Sequence, residues 1–326
     1  MRAIQISRTG GPEVLELNDV PNPTPGAGQA LIRIEATGVN FIDIYFREGR
    51  YPSPLPFIPG QEAAGTIEAL GPDIPTQPTH FTVGDRVAWC GVPGTYAECA
   101  LAPTARLVRI PDGVTAQQAA ASLLQGMTAH YLAFSTYPIQ SGDSILIHAG
   151  AGGVGLLVIQ IAKHLGARVF TTVSTEEKAA LAREAGADEV ILYTREDFPT
   201  RVRELTHGKG LPVVYDSVGK TTFEGSLACL RPRGLLALFG GSSGAVPPFD
   251  LIKLSTMGSL FITRPTLKDY TATRDELDWR SGDIFRWIAD GTLKLRIEHT
   301  YPLAEAAQAH RDLEARKTTG KILLLK

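Results

Sequence analysis

The segment Ser144-Ile-Leu-Ile-His-Ala-Gly-Ala-Gly-Gly-Val-Gly155 constrains the fold more than any other part of the chain. Residues 145–149 are apolar except for His148, which predicts a short buried strand. Gly150, Gly152 and Gly155 follow with G-x-G-x-x-G spacing. Leu156 to Leu165 continue as an apolar helix, which Gly166 stops. Arg168-Val-Phe-Thr-Thr-Val173 supplies a second strand. Strand, glycine turn, helix and strand within about 30 residues is the context that a dinucleotide site requires. Gly150 is expected to allow the tight turn. Gly152 is expected to clear the path of a pyrophosphate, and Gly155 to let helix and strand pack closely. The free N–H groups at the helix start then face the anion. Gly150, Gly152, Gly153, Val154 and Gly155 are therefore candidate cofactor contacts.

The strand-helix alternation continues downstream. Candidate strands lie at 144–149, 168–173, 189–193, 212–217, 234–240 and 259–263, with helices near 154–165 and 176–185. Six strands joined by right-handed crossovers predict a doubly wound parallel sheet. Residues 1 to about 120 read differently, with Pro, Gly and β-branched residues. Ala30-Leu-Ile-Arg-Ile-Glu-Ala36 alternates with period two, and 64–70 and 85–89 are further short strands. Gly71-Pro72, Pro93-Gly94 and Pro111-Asp-Gly113 mark turns. A helical pattern begins at Gln117-Gln-Ala-Ala-Ala-Ser-Leu-Leu124. After 265 come a Trp-containing helix (283–290), a strand (294–300), a helix (303–315) and a last strand, Lys321 to Lys326, expected to return to the N-terminal domain. The expected division is 1–122, completed by 266–326, and 123–265.

Composition excludes more than it selects. A chain of 326 residues suits two domains. A net charge of −2, with Lys and Arg only in isolated pairs such as Arg201 and Arg203, leaves no footprint for nucleic acid. No uninterrupted apolar run is long enough for a transmembrane helix, and no signal-peptide core opens the chain. Three cysteines without a C-x-x-C pair fit a reducing cytoplasm.

Several motifs resemble the medium-chain dehydrogenase/reductase superfamily, and within it the zinc-free quinone oxidoreductases related to zeta-crystallin. They are Gly38-Val-Asn-Phe-Ile-Asp-Ile-Tyr45, Pro59-Gly-Gln-Glu-Ala-Ala-Gly65, Val83-Gly-Asp-Arg-Val87 and Gly94-Thr-Tyr-Ala-Glu98. Further on come the glycine turn, Val214-Tyr-Asp-Ser-Val-Gly219, Phe239-Gly-Gly-Ser-Ser-Gly244 and Gly258-Ser-Leu-Phe-Ile-Thr-Arg-Pro265. The resemblance runs end to end. It implies a GroES-like β-rich catalytic domain, a Rossmann domain with a six-stranded sheet, and an active site in the cleft between them. Zinc alcohol dehydrogenases of the superfamily hold a catalytic metal on Cys, His and Cys. The matching positions here are Asn40, Gln61 and Gln125, and amides are poor Zn²⁺ ligands. No metal is expected. Without a Lewis acid, reduction of a quinone or an activated C=C is easier than alcohol oxidation, because hydrogen bonds can stabilise the charge on a conjugated oxygen.

The resemblance places Asn40, Tyr45 and Tyr51 in a loop at the nicotinamide end of the cleft, as catalytic donors, with Asn40 and Tyr45 also touching the cofactor. By their own chemistry Tyr45 fits a boundary aromatic and Asn40 a turn residue. The second strand ends without the acid that usually holds an NAD ribose. Ser174 can donate to a phosphate and Lys178 can pair with it. The resemblance gives these two, with Tyr193, the 2′-phosphate of NADPH, while Ser174-Thr-Glu-Glu177 also reads as a helix N-cap. Gly126 and Thr128 are expected to begin a long linking helix near the cofactor. Ser217, Val218, Phe239, Gly240, Ser242, Phe261, Thr263 and Arg264 follow strands four to six, where ligands bind in open α/β sheets. His148 reads as a satisfied strand histidine.

The expectation is an NADPH-dependent quinone oxidoreductase. The alternatives are an enone or enoyl reductase, or a nucleotide-binding protein with vestigial activity and RNA binding. The edge strand near 259–263 is expected to build a homodimer.

Overall fold

The computed structural model describes residues 1–74 and 80–326. They form two compact units, Met1–Met127 with Thr271–Lys326, and Thr128–Tyr270.

The first unit is organised by the strand Gln29–Val39. Ala30, Ile32, Ile34 and Ala36 alternate inward while Arg33 and Glu35 stay exposed, so the period-two pattern becomes a one-sided core strand. It pairs antiparallel with Glu62–Leu70 on one side and Lys321–Leu325 on the other, and with Cys99–Pro103 along its first half. Ile32, Ile67, Phe81, Val87, Trp89 and Leu107 fill the core below. The last strand thus returns to this unit, with Leu323 opposite Gly38. Beyond it lies the parallel strand Ile297–Pro302. The Trp-containing helix spans Arg274–Ala289, starting nine residues before the expected 283. Thr273 caps it by accepting from the Glu276 N–H. That cap is legible in the sequence, but the apolar stripe is clear only from Leu277 onward.

The helix Ala116–Tyr131 starts at a reciprocal cap in which the Thr115 hydroxyl accepts from Gln118 N and the Gln118 amide accepts from Thr115 N. Gly126 and Thr128 therefore lie inside this helix rather than at its start. Gly126 is set by packing, because a Cβ there would sit 3.1–3.2 Å from the Ile284 side chain.

The second unit is a six-stranded parallel sheet. Its order is Glu189–Leu192, Arg168–Val173, Ser144–His148, Leu211–Asp216, Leu230–Leu238 and Phe261–Thr263. The chain winds outward in both directions from Ser144–His148, so the topological switch point lies between that strand and Leu211–Asp216. Leu146, Phe170, Ile191, Val214 and Leu236 pack in its core. The fifth strand begins four residues before the expected 234, because Leu230 already pairs with Leu211 across a register shift. It ends at Leu238, which leaves Phe239 and Gly240 in the following loop. None of the described helices is long and apolar enough to cross a membrane.

Candidate active site

The glycine turn ends the strand Ser144–His148 and opens the helix Gly153–His164. The left-handed residue of the turn is Ala149, with φ of 57°, rather than Gly150. Gly150 is needed for a different reason. A Cβ there would overlap the Thr171 hydroxyl and come within 2.9 Å of Thr171 Cβ and Cγ2. Gly155 is held by backbone, since its Cβ would overlap the Ala149 carbonyl and lie 2.9 Å from Gly150 Cα. At Gly152 a Cβ would meet only the Ala149 carbonyl, at 3.1 Å. Gly152 is also the helix N-cap and has no side chain to cap with. The N–H groups of the first turn are therefore offered to an external acceptor, in the manner of a pyrophosphate cradle.

At the tip of the second strand the helix Glu176–Glu184 is capped by Thr175, which accepts from the Lys178 N–H at 3.3 Å. Thr175 thus takes the capping role, and the Ser174 hydroxyl is not the cap. Ser174 and Lys178 are half-buried, and the exposed Tyr193 follows the neighbouring strand with its N–H on the Val173 carbonyl at 3.2 Å. Two acids follow the strand tip. Glu176 is paired with Arg195 at 3.0 Å. The Glu177 carboxyl is held below its ordinary range by a hydrogen bond from Thr175.

Asp216, which sequence reasoning gave no role, organises the ends of strands four and five. Its Oδ1 accepts from Val218 N at 2.7 Å and Gly219 N at 3.0 Å. Its Oδ2 accepts from the Thr222 and Ser226 hydroxyls at 2.7 and 2.9 Å. The next loop is laced onto this turn, with Ser242 N donating to the Ser217 carbonyl and Ser243 N to that of Val218. Gly240 is glycine because a Cβ would overlap Ser217 backbone. A fully buried acid at the end of an apolar strand is the signal that could have found Asp216. Arg264 donates to the Leu238 carbonyl at 3.0 Å, so it sits over the same strand ends. Thr263 closes the edge strand half-buried, while Phe261 is 60% exposed on that edge. His148 is buried between Thr172 Oγ1 (2.8 Å) and Ser226 Oγ (3.0 Å), and burial lowers its pKa. Both its ring nitrogens are engaged, so it serves structure.

In the first unit, Asn40 is the N-cap of a short helix, Phe41–Arg47. Tyr45 is therefore helical, not in a loop as expected. The reason is a reciprocal cap in which Asn40 N donates to Asp43 Oδ2 at 2.8 Å and Asp43 N donates to the Asn40 carbonyl at 3.0 Å. Tyr45 is buried, with Tyr51 edge-on at 5.5 Å and the Arg50 guanidinium over its ring at 5.4 Å. The exposed Tyr51 follows the helix, its N–H on the Tyr45 carbonyl.

Asn40 lies among buried charges. Lys321 Nζ donates to Asn40 Oδ1 at 2.7 Å and to Glu62 Oε2 at 2.5 Å. Asn40 Nδ2 donates to Glu62 Oε2 at 3.0 Å and to the Gly38 carbonyl at 3.3 Å. Gln125 Nε2 reaches Asn40 Oδ1 at 3.4 Å. Gln61 is buried beside Glu62, and no side-chain hydrogen bond joins it to Gln125 among the described residues. Both Asn40 donors are thus spent inside the protein. Among the described residues no three His, Cys, Asp or Glu stand together as a metal site requires. With amides at three positions and an ammonium on Asn40, this donor set does not fit a zinc ion.

A second chain leads from Asp43 outward. Arg47 can only donate, so the His310 Nδ1 it meets at 3.1 Å is an acceptor. His310 Nε2 then carries the proton and donates to Tyr96 Oη at 3.0 Å, and Tyr96 donates to Asp43 Oδ2 at 3.1 Å. Burial pushes the Asp43 carboxyl up to about 7, against the Asn40 N–H and the Lys321 charge. Burial, then Arg47, takes His310 down to about 3.

Residues 26–112 match the model of the alcohol dehydrogenase GroES-like domain, and 153–280 that of the zinc-binding dehydrogenases. The chain is 48% identical to a quinone oxidoreductase of Pseudomonas aeruginosa, over 99% of both chains. It is 44% identical to a 2-haloacrylate reductase of a Burkholderia species, over 99% of this chain and 98% of the relative. A mycobacterial protein solved in complex with NADPH shares 52% identity, with a TM-score of 0.97 over the whole of both chains. The chain belongs to the medium-chain dehydrogenase/reductase superfamily and, within it, to the quinone oxidoreductase family.

Proposed function

We propose that this chain is an NADPH-dependent, zinc-independent quinone oxidoreductase. The observation that carries the reading is the set of amides at Asn40, Gln61 and Gln125, the first of them bound to a buried ammonium, where a metal-dependent relative would need thiolate and imidazole. Such a site has hydrogen bonds to offer but no Lewis acid. An acceptor that is already electron-poor needs no more than that. The bound cofactor supplies a hydride from its nicotinamide. The protein's part is to bind, orient and stabilise. The first turn of Gly153–His164 takes the pyrophosphate. Ser174, Lys178 and Tyr193 take the 2′-phosphate end. The turn held by Asp216, with Ser217, Val218, Phe239, Gly240 and Ser242, and Thr263 and Arg264 beyond it, receives the rest of the cofactor at the strand ends. Tyr45 and Tyr51 present phenolic groups to the reduced oxygen. The solved mycobacterial relative with NADPH supports the choice of cofactor.

A second reading, reduction of an activated alkene, is favoured by one observation, the 44% identity to the 2-haloacrylate reductase. Steady-state NADPH oxidation against a panel of benzoquinones, naphthoquinones, enones, enoyl thioesters and haloacrylates separates the two. The proposal expects the highest kcat/KM with a quinone. A highest value with any alkene would replace it with the second reading.

We further propose a cytoplasmic homodimer. Phe261 at 60%, Leu251 at 73% and Ile252 at 70% exposure lie on or shortly before the edge strand of the nucleotide sheet. An exposed apolar edge favours two-fold pairing with a second copy. The three unpaired cysteines agree with a reducing compartment.

A further inference from the structure

A buried lysine is rare, and this one meets two side chains in order. Lys321 is 2% exposed, and its ammonium carries three donors and no acceptor. An amide's oxygen and nitrogen are nearly identical in shape, so its orientation is set by what it faces. Facing Lys321, Asn40 must present Oδ1, which it does at 2.7 Å. Its Nδ2 is then turned to acceptors only, Glu62 Oε2 and the Gly38 carbonyl. Facing that same Oδ1, Gln125 must present Nε2, at 3.4 Å. The ion pair of Lys321 with Glu62 thus orients two amides in series, Lys321 from the oxygen end of Asn40 and Glu62 from its nitrogen end. Glu62 steadies the far end, because its Oε1 accepts from the N–H of Leu124, the residue before Gln125, at 2.7 Å. Asn40 has no donor left. Gln125 is half-buried, and its second Nε2 hydrogen has no hydrogen-bond partner among the described residues.

We propose that Lys321 is a positioning residue for the reduction: it fixes the facing of Asn40 and Gln125, so that the remaining Gln125 N–H is a further donor to the substrate oxygen. The inference rests on the reading that the quinone is reduced at this face of the first unit. If Lys321 is removed, Asn40 Oδ1 loses its charged donor and Glu62 its counter-charge, so the Asn40 oxygen that holds Gln125 Nε2 is no longer firmly placed, and Gln125 is free to offer its own oxygen, which repels the developing negative charge.

The test uses the full-length protein with NADPH and a quinone. Gln125→Leu is expected to lower kcat more than about tenfold, in line with loss of one preorganised donor, while the NADPH dissociation constant stays within about twofold. Lys321→Met is expected to do the same, and Lys321→Arg, which also only donates, to restore most of the rate. The double variant Lys321→Met/Gln125→Leu is expected to be no slower than the slower single one, since both act through one hydrogen bond. A purely structural lysine would lower stability without that non-additivity. If Lys321→Met does not fold, Lys321→Met/Glu62→Gln removes the stranded charge and takes its place in the cycle. Full activity of Gln125→Leu, or additive losses in the cycle, would overturn the inference. Tyr45→Phe separates the two levels of the argument. If it slows turnover while Gln125→Leu does not, this inference alone fails. If neither does, the reading of the face fails and takes the inference with it.

Discussion

The glycine turn supports a prediction that separates binding from folding. Gly152→Val adds a side chain whose first atom meets one protein neighbour, the Ala149 carbonyl at 3.1 Å. Because the position is an N-cap with extended backbone, φ −80° and ψ 167°, a β-branched residue fits the conformation. The fold is therefore expected to lose little. The added methyls occupy the approach to the first-turn N–H groups. Two hydrogen bonds to a charged phosphate, at about 1.5–3 kcal/mol each, make about 3–6 kcal/mol, or roughly 150-fold or more in affinity. Gly150→Ala is the opposite case. Its Cβ would overlap the Thr171 hydroxyl, which donates to the Ile147 carbonyl at 2.7 Å in the sheet core. Overpacking of this kind costs about 1–3 kcal/mol, or several degrees in Tm. Fluorescence titration with NADPH and a thermal melt of each variant without cofactor measure the two effects. Gly152→Val should melt near wild type and fail to bind, whereas Gly150→Ala should melt lower. Unchanged NADPH affinity in Gly152→Val would refute the reasoning, and so would a Tm loss there as large as in Gly150→Ala.

Three other predictions stand on separate features. Lys178→Ala should raise the KM for NADPH about tenfold or more and leave that for NADH nearly unchanged, the size of one charged hydrogen bond; equal losses would remove Lys178 from the 2′-phosphate site. Phe261→Pro takes a ladder donor from the edge strand and should shift the molecular mass by light scattering from two chains toward one before the first unit melts. The buried chain from Arg47 to Asp43 carries two opposite pH dependences. Asp43, raised to about 7, holds its proton longer in the fold than in the unfolded chain, so its contribution is full below about pH 4 and is lost as pH rises to 7. His310, lowered to about 3, must take up a proton on unfolding, so its contribution is present above about pH 6.5 and is lost as pH falls toward 3. His310→Gln removes the second alone, and its Tm should therefore fall more steeply than that of wild type between pH 4 and 7. Parallel Tm curves would contradict the two shifts.

What was legible in the sequence follows from how local the causes are. The glycine spacing and the alternation of 30–36 are decided within a few residues, and both units were visible from them. Thr115, Thr273 and Thr175 cap their helices by contacts three residues away, a local signal, yet the start at Thr273 lies nine residues before the expected one because the apolar stripe begins only at Leu277. The turn at Ala149 could not, because its left-handed backbone is imposed by the packing of Gly150 on Thr171 and of Gly155 on Ala149. The packing of Gly126 is not legible either, because the side chain that leaves no room for a Cβ there is Ile284, far along the chain. The amides in place of metal ligands were visible. Their arrangement was not, because Lys321 lies 281 residues from Asn40 and 259 from Glu62. A lysine at the head of a terminal strand reads as solvated until the sheet pairing brings Lys321–Leu325 against Gln29–Val39.

Quinone-dependent oxidation of NADPH by protein dialysed against a strong chelator, with metal content measured on the same sample, tests the central claim most directly. Less than stoichiometric zinc and undiminished turnover are expected. One zinc per chain, with activity lost on its removal and restored by adding it back, would contradict it.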